Sequence, residues 1–445
     1  MASILPKPNK TRLAQLAELS AKIFNNVYNP KGERTGNKIL RQKLIGPTVV
    51  DWYPKRIITL RKITDMFPRM ELVNQEEKLR LEEIAKRKKR GKGAPKKVHT
   101  HELPPLTPTT LHIHFLASPI NPSDINQIEG VYPLRPTFTK ELGVLSDGEH
   151  KELAVGGNEG VAEVIAVGDQ IKDLKVGDWV VIGRSGFGTW RTHAAATPND
   201  VTRIDNKGIG LIQAATMTVN ACTAFRLLKD FVTLKEGDFV IQNGANSGVG
   251  QSVIQIANAW NINTINIVRN RPDIDDLKAR LKSLGATHVV TDEELGCYKT
   301  KELIKEWTSI NNNVGVKLGL NCVGGKVSTE MAKYLCRSGY HITYGAMSRQ
   351  PITIPASLLI FKNIKFLGYW MSKWNQVHSK EERIEMLNEV IGLIRQGKLG
   401  DIAHDEVIWG NSNENDESLK IKFLDVLDKA NTGFHGKKQI LKIQL

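Results

Sequence analysis

Hydrophobic and polar positions follow three different rules along this chain. In the first hundred residues the apolar positions are sparse and helically spaced. Leu13, Leu16, Leu19, Ile23 and Phe24 define one face of about three turns, and Asn29-Pro30-Lys31-Gly32 breaks it as a turn. A second short helix is expected over residues 37–44, stopped by Gly46-Pro47. Asp51-Trp52-Tyr53-Pro54 makes an aromatic knot, and residues 57–67 offer another short apolar face. Residues 75–90 lead with acids and trail with bases, as a helix dipole favours, but Leu79, Leu81 and Ile84 are too few to bury a broad face.

From residue 111 the rule becomes strand-like. Residues 111–116 alternate, with His112 and His114 on one side. Two histidines so placed could ligate a metal, but no third ligand candidate lies nearby, and packing or surface histidines are the simpler reading. A polar loop framed by Pro and Gly, residues 118–133, then carries Tyr132 in a tight turn. Short alternating strands with Gly turns follow at residues 156–168 and 176–181, which describes a small β-barrel ending near residues 188–193. The third rule begins at Phe239, where apolar strands alternate with helices: strands near 239–243, 262–268, 287–291, 316–323 and 340–346, with helices between them. That is a doubly wound sheet. The chain is then expected to cross back through residues 366–371. A final helix over about 380–396 and a closing strand in GKKQILKI complete the reading.

Charge divides the chain unevenly. Residues 1–98 hold 24 Lys and Arg against 9 Asp and Glu, and the remaining residues hold 38 of each. All the excess basicity therefore sits in the first fifth, which includes the flexible tail Arg90-Gly91-Lys92-Gly93-Ala94-Pro95-Lys96-Lys97. A small basic segment with little core suits folding against RNA, where it neutralises phosphates; a solvated linker helix is the alternative. Residues 98–106 form a Pro-containing joint to a neutral, enzyme-like body. Four cysteines without metal-ligand spacing fit a reducing compartment and leave a zinc site unsupported. No apolar run approaches the ~18 residues that span a bilayer, so a soluble protein is expected. Three basic residues and no acid in residues 1–12 faintly suit mitochondrial import.

Candidate chemistry centres on residues 239–257: a strand, the glycine-rich turn Gly244-Ala245-Asn246-Ser247-Gly248-Val249-Gly250, and a helix. Glycine admits positive φ and lets backbone approach a pyrophosphate, whose charge suits a helix N-terminus. The spacing Gly-x-x-x-Gly-x-Gly also fits a plain strand–turn–helix. After the next strand, where an NAD site would place an acid, stand Arg269-Asn270-Arg271-Pro272. Two guanidiniums suit a 2′-phosphate, so NADPH is read over NADH, with two ordinary surface arginines as the alternative.

Two resemblances sharpen these readings. The stretch RLAQLAELSAKIFNNVYNPKGERTGNKILRQKLIGPTVVDWYP, closed by RGKGAPKK, resembles a small protein family of the mitochondrial ribosomal small subunit, family number thirty-three, over residues 10–97. It implies ribosomal RNA and small-subunit proteins as partners through residues 1–98, and a mitochondrial matrix location. The motifs SPINPSDINQIEGVYP, GGNEGVAEVIAVG, DWVV, GTWRTHA, TVNACTA, FVIQNGANSGVG, IVRNRP, LNCVGGK and YGAMSRQPITIP resemble the medium-chain dehydrogenase/reductase superfamily. Within it they are most similar to the mitochondrial 2-enoyl thioester reductases, over residues 106–445. Gly157-Asn158-Glu159 stands where the zinc-dependent branch would show Gly-His-Glu, so the resemblance points to the zinc-free branch.

The resemblance implies an α/β fold: a Rossmann-type doubly wound parallel sheet plus a GroES-like β-barrel catalytic domain, preceded by a small basic α-helical extension. The expected divisions are 1–98 ribosomal-protein-like, 99–214 and 366–445 catalytic, and 215–365 NADPH-binding. It implies reduction of trans-2-enoyl thioesters of acyl carrier protein or coenzyme A, with a homodimer through the reductase part as an option. Tyr132 takes the catalytic position, since a donor aimed at the thioester oxygen stabilises charge developing there and a tyrosine hydroxyl ordinarily stays protonated at neutral pH. Asn220 and Thr223 match positions near the nicotinamide. Asn246, Ser247, Val249, Arg269 and Arg271 match phosphate-binding positions, and Tyr344, Met347, Tyr369, Trp370 and Lys438 match cofactor- or pocket-lining ones. One departure stands out: the family has roughly thirty more residues before the strand at Leu111, which form its first barrel strands. A barrel with an open edge, or one completed by the basic segment or the joint, is therefore expected. A ribosomal structural protein carrying an inactive NADPH-binding body, and a quinone or enone reductase, are the competing readings.

Overall fold

The structure, a computed structural model, describes residues 9–24, 28–31, 33, 98, 101–139, 153–309, 315–409, 416–432 and 436–444. The expected helices at 37–44 and 75–90, the aromatic knot, the 57–67 face and the basic tail lie outside the described residues. The chain divides into two compact units, Met1–Ile84 and Ala85–Leu445.

In the first unit α1, Lys10–Ile23, forms where the sequence pattern places a helix. The Asn9 side chain caps it by accepting from Thr11 N at 3.3 Å. None of its residues is buried. Leu13, Leu16, Leu19 and Ile23 are each at least half exposed, so the apolar stripe finds no cover among the described residues.

The second unit is built on two sheets. Among the described residues the first sheet runs β12 (His404–Trp409), β13 (Lys438–Ile443), β1 (Leu111–Pro119), β2 (Val161–Val167), β3 (Trp179–Ile182), β5 (Val201–Ile204), with β4 (His193–Ala196) also paired to β1. Its pairings are antiparallel except β12–β13. Every second residue from Leu111 to Phe115 is fully buried, as the alternation requires. The barrel does not stop near residue 193: β4 and β5 extend it to Ile204. His193-Ala194-Ala195-Ala196 lacks the β-branched residues that signal a strand, which is why the pattern ended early.

Both edges of β1 are occupied. β2 lies on one side; β4 pairs with its first half, Leu111–His114, and β13 with its last three residues. The turn that follows the joint lies against the end of this sheet: Gln170 N donates to Pro108 O at 3.0 Å and Gly168 N to Thr110 O at 2.9 Å. A Cβ on Gly168 would meet the Pro108 carbonyl carbon at 2.5 Å, so only glycine lets this turn come so close. Val98 packs on the barrel core.

The second sheet is parallel throughout, in the order β11 (Lys365–Gly368), β10 (Leu335–Thr343), β9 (Val316–Asn321), β6 (Phe239–Asn243), β7 (Asn263–Val268), β8 (His288–Thr291). β6 is buried along its whole length, as expected with helices on both faces. Lys365–Gly368, read from sequence as part of the return crossing, is instead this sheet's edge strand. Its residues are mostly exposed, so they carry no buried-run signal. The helix at Lys380–Arg395 is present, but it is not final: β12 and a helix at Asp416–Thr432 follow. His404-Asp405-Glu406 hides the strand's apolar half in the sequence. One apolar core cluster runs from barrel residues Ala117, Val161 and Ile440 to Val240, Leu318 and Ile342 of the second sheet.

Candidate active site

The order in which the chain adds strands to the second sheet reverses between β6 and β9, the crevice where ligands sit in doubly wound folds. Two buried asparagines close it: Asn243 Nδ2 donates to Asn321 Oδ1 at 2.7 Å, and the Cys322 and Val323 amides donate to Asn243 Oδ1. Gly244 leaves β6 at φ +63°. Ser247 then caps α5, Gly248–Ala259, by accepting from Gly250 N at 3.1 Å. A Cβ on Gly250 would lie 2.6 Å from the carbonyl oxygens of Gly244 and Ala245, so the turn closes only around glycine. Asn246, Ser247 and Val249 therefore stand at the helix N-terminus, whose free amides suit an anion.

Arg269 is exposed beyond β7. Arg271 is brought to Asn246, because both converge on Gly436 before β13: a Cβ there would lie 3.5 Å from an Arg271 guanidinium nitrogen and 3.7 Å from Asn246 Nδ2. Arg280 reaches the same place at 3.9 Å, and sequence reasoning missed it. Its helical position, eleven residues after Arg269, carried no signal. Burial, and then Arg271, hold its guanidinium pKa below the usual value. These arginines and the helix N-terminus fit a nucleotide carrying an extra phosphate.

A polar network joins the barrel to this turn. After β1, α2 (Pro122–Ile128) begins at Asn121, whose backbone N–H donates to Asp124 at 2.8 Å. Asn121 Nδ2 donates to Glu159 at 2.7 Å, and its Oδ1 accepts from Lys438 Nζ at 2.7 Å. Between α3 (Leu211–Thr216) and α4 (Cys222–Lys229) the chain makes a π turn, Met217–Ala221. Such turns leave amides without helical partners. Val219 N donates to Glu159 at 2.6 Å, Thr218 Oγ1 at 3.2 Å and Asn220 Nδ2 at 3.3 Å. Asn220 also abuts α5: a Cβ on Gly248 would lie 2.5 Å from its Oδ1. Burial pushes Glu159 up to about 7 and Asp124 up to about 6, against the hydrogen bonds and Lys438 that pull both down. Lys438 is itself lowered by burial.

Asn158, at the position of the zinc branch's histidine, donates to Asp124 at 2.6 Å and Gln127 at 2.9 Å and accepts from Gly186 N at 2.7 Å. Gln127 in turn holds Leu134 O, and the Val131 and Tyr132 amides donate to Asn126 O. The network thus reaches the Tyr132 loop. Tyr132 Oη accepts from Trp370 Nε1 at 2.7 Å, and the rings meet edge to face at 5.9 Å. Trp370 follows β11, so it stands at the carboxyl end of the sheet.

The remaining expected residues are placed as follows. Thr223 is buried in the first turn of α4. The Tyr369 ring meets Phe231 edge-on at 6.0 Å. Tyr344 lies in the loop after β10, where burial raises its hydroxyl pKa well above the usual value. Met347 is 56% exposed in the same loop and is not drawn into the network. Asn121, Asp124, Gln127 and Glu159 were missed as site residues, although the sequence motifs contain them.

A split barrel around a doubly wound sheet, with a tyrosine at its carboxyl end, defines the medium-chain dehydrogenase/reductase class. The family model described as alcohol dehydrogenase GroES-like domain matches residues 107–227, and that described as zinc-binding dehydrogenase matches residues 248–389. The chain belongs to the mitochondrial enoyl-acyl-carrier-protein reductases. It is 44% identical to the Schizosaccharomyces pombe member over 354 residues, 78% of this chain and 91% of that protein. A solved Etr1p–NADP–crotonyl-CoA complex superimposes with a TM-score of 0.71 at 38% identity, covering 77% of this chain and 93% of that one. A Candida tropicalis mitochondrial 2-enoyl thioester reductase heterodimer gives the same values. The model named MRP-S33, described as mitochondrial ribosomal subunit S27, matches residues 11–97. The chain is thus a fusion of two mitochondrial families. No helix among the described residues is long and apolar enough to cross a membrane.

The network predicts the consequence of removing its cation. Lys438→Met leaves two buried carboxyls without a counter-charge, which costs about 3 kcal/mol. Both carboxyls already have folded pKa values above their unfolded ones, so their contribution to stability is lost as pH rises through the folded values. Losing the lysine raises those values further. Urea unfolding should therefore show a larger deficit at pH 8 than at pH 6; an equal deficit would contradict the arrangement.

Proposed function

We propose that residues 99–445 reduce trans-2-enoyl thioesters of acyl carrier protein or coenzyme A with NADPH, in mitochondria, while residues 1–98 build into the small ribosomal subunit. The observation that carries the enzymatic reading is the Tyr132–Trp370 hydrogen bond. With Trp370 Nε1–H occupying an Oη lone pair, the Tyr132 hydroxyl proton is left to donate elsewhere. A thioester carbonyl presented at the sheet's carboxyl end would receive it, and charge developing on that oxygen would be stabilised. When bound, NADPH would supply the hydride that adds to the β carbon as the Cα–Cβ π bond breaks, and the released electron pair would take up a proton at the α carbon. Ser247, Asn246 and the α5 amides would hold its pyrophosphate, Arg269 and Arg271 its 2′-phosphate, and Asn220, Thr223 and Lys438 its nicotinamide half. Tyr344, Met347, Tyr369 and Trp370 would line the pocket. The 2′-phosphate reading is supported by guanidiniums where an NAD site would carry an acid.

The proposed division is a split catalytic part, 99–214 and 366–445, around an NADPH-binding part, 215–365, with the last boundary falling within β11. For the ribosomal part, the exposed α1 stripe and the basicity of residues 1–98 support docking on small-subunit proteins and ribosomal RNA. For the reductase part, a second copy of the chain would pair at β11. That edge strand lies beside Ile360 and Phe361, which are 70% and 68% exposed, and an unpaired parallel edge next to apolar surface is otherwise a liability.

Tyr132→Phe keeps the ring packing and removes the donor. It should lower kcat about a hundredfold with an unchanged melting temperature; an unchanged kcat would remove Tyr132 from the mechanism. Replacing Arg269 and Arg271 together with Ala should weaken NADPH by about two orders of magnitude and leave NADH nearly unaffected. Equal losses for the two nucleotides in fluorescence titrations would reject the 2′-phosphate reading.

A further inference from the structure

Glu159 has no exposed surface, and the groups that hydrogen-bond its carboxylate are donors: the side chains of Asn121, Asn220 and Thr218 and the backbone N–H of Val219. An anion satisfies this ring. A carboxylic acid does not, because its proton needs an acceptor and only the Thr218 oxygen could turn to offer one. The two amides are not free to reverse. Turning Asn121 would set its NH2 against the Lys438 ammonium, which its Oδ1 now accepts from. Turning Asn220 would withdraw its Nδ2 from Thr216 O as well as from Glu159, to which it donates at 3.4 and 3.3 Å. Only the ionised carboxylate therefore satisfies all four donors in this arrangement.

We propose that Glu159 is a positioning residue of the reductase: as an anion it locks Asn121, Asn220 and the π turn so that Asn220 and Lys438 are presented beside the start of the cofactor helix. This rests on the assignment of Asn220 and Lys438 to the cofactor's nicotinamide half. Two charged groups bear on Glu159: Lys438 from β13, which favours the anion, and Asp124 from α2, which opposes it. Cys222, at the start of α4, is pushed up to about 12 by burial and stays neutral. Since burial brings Glu159 up to about 7, the lock loosens as pH falls through neutrality, and cofactor affinity falls with it.

The test is the dissociation constant for NADPH of the intact chain, by nucleotide fluorescence between pH 6 and 8.5, for wild type and Glu159→Gln. Binding is read without turnover, so the result stands apart from whether the chain reduces thioesters. Glutamine keeps the shape but turns an NH2 towards the donor ring. It should weaken binding about tenfold at pH 8 while melting within a few degrees of wild type. The 2′-phosphate titrates near pH 6 in both proteins, so the expected signature is a wild-type loss of affinity centred near 7 that the variant lacks. Parallel profiles with equal constants would overturn the proposal. Should Glu159→Gln not fold, the same titration of wild type with NADH, which has no 2′-phosphate, decides it. A fall centred near 7 supports Glu159, whereas a flat profile, or a fall centred near 6 where Asp124 titrates, overturns it.

Discussion

A buried carboxylate in a ring of donors ties the two sheets of this protein together. Glu159 lies in the loop before β2, Asn121 follows β1, Lys438 opens β13, and Asn220 sits in a π turn leading to the helix that packs against α5. Burying a charge is costly unless it is paired and hydrogen-bonded, so each of these positions constrains the others. Through Asn158 and Gln127 the same network continues to the loop carrying Tyr132. The cofactor turn and the proposed catalytic hydroxyl are therefore set by one connected group of polar side chains rather than by separate loops.

The fusion reads differently once the barrel is seen. The family's missing leading strands raised the prospect of a barrel with an open edge, or one completed by the basic segment or the joint. β1, the strand leading into the SPINPSD loop, has a partner on each side, and residues 107–110 lie against the end of its sheet. The loop carrying Asn121 and Tyr132 is thus supported by β13 and β4. The ribosomal-protein-like segment contributes a helix that buries none of its own side chains among the described residues.

What the sequence made legible follows from where the physical signal was local. β6 and β7 are buried on both faces and read as apolar runs. The turn between β6 and α5 announced itself through three glycines, because a Cβ would meet the Cys322 side chain at Gly244, the Asn220 side chain at Gly248 and the turn's own carbonyls at Gly250. β4, with three alanines, and β11, exposed at the edge, gave no such signal, and the pattern passed over them. The network was illegible for a different reason. Asn121 meets Glu159 across 38 residues and Lys438 across 317, so no periodicity connects them. Arg280 was likewise silent until the fold set it beside Arg271. Resemblance carried residues such as Lys438 and Trp370, and the structure then supplied their partners.

The central claim is that a reductase fused behind a ribosomal-protein-like segment still assembles a working site. Its most direct test is NADPH oxidation by the purified intact chain with a short trans-2-enoyl thioester. The account predicts saturable turnover that depends on the thioester double bond. A folded chain that binds NADPH and shows no turnover would contradict it.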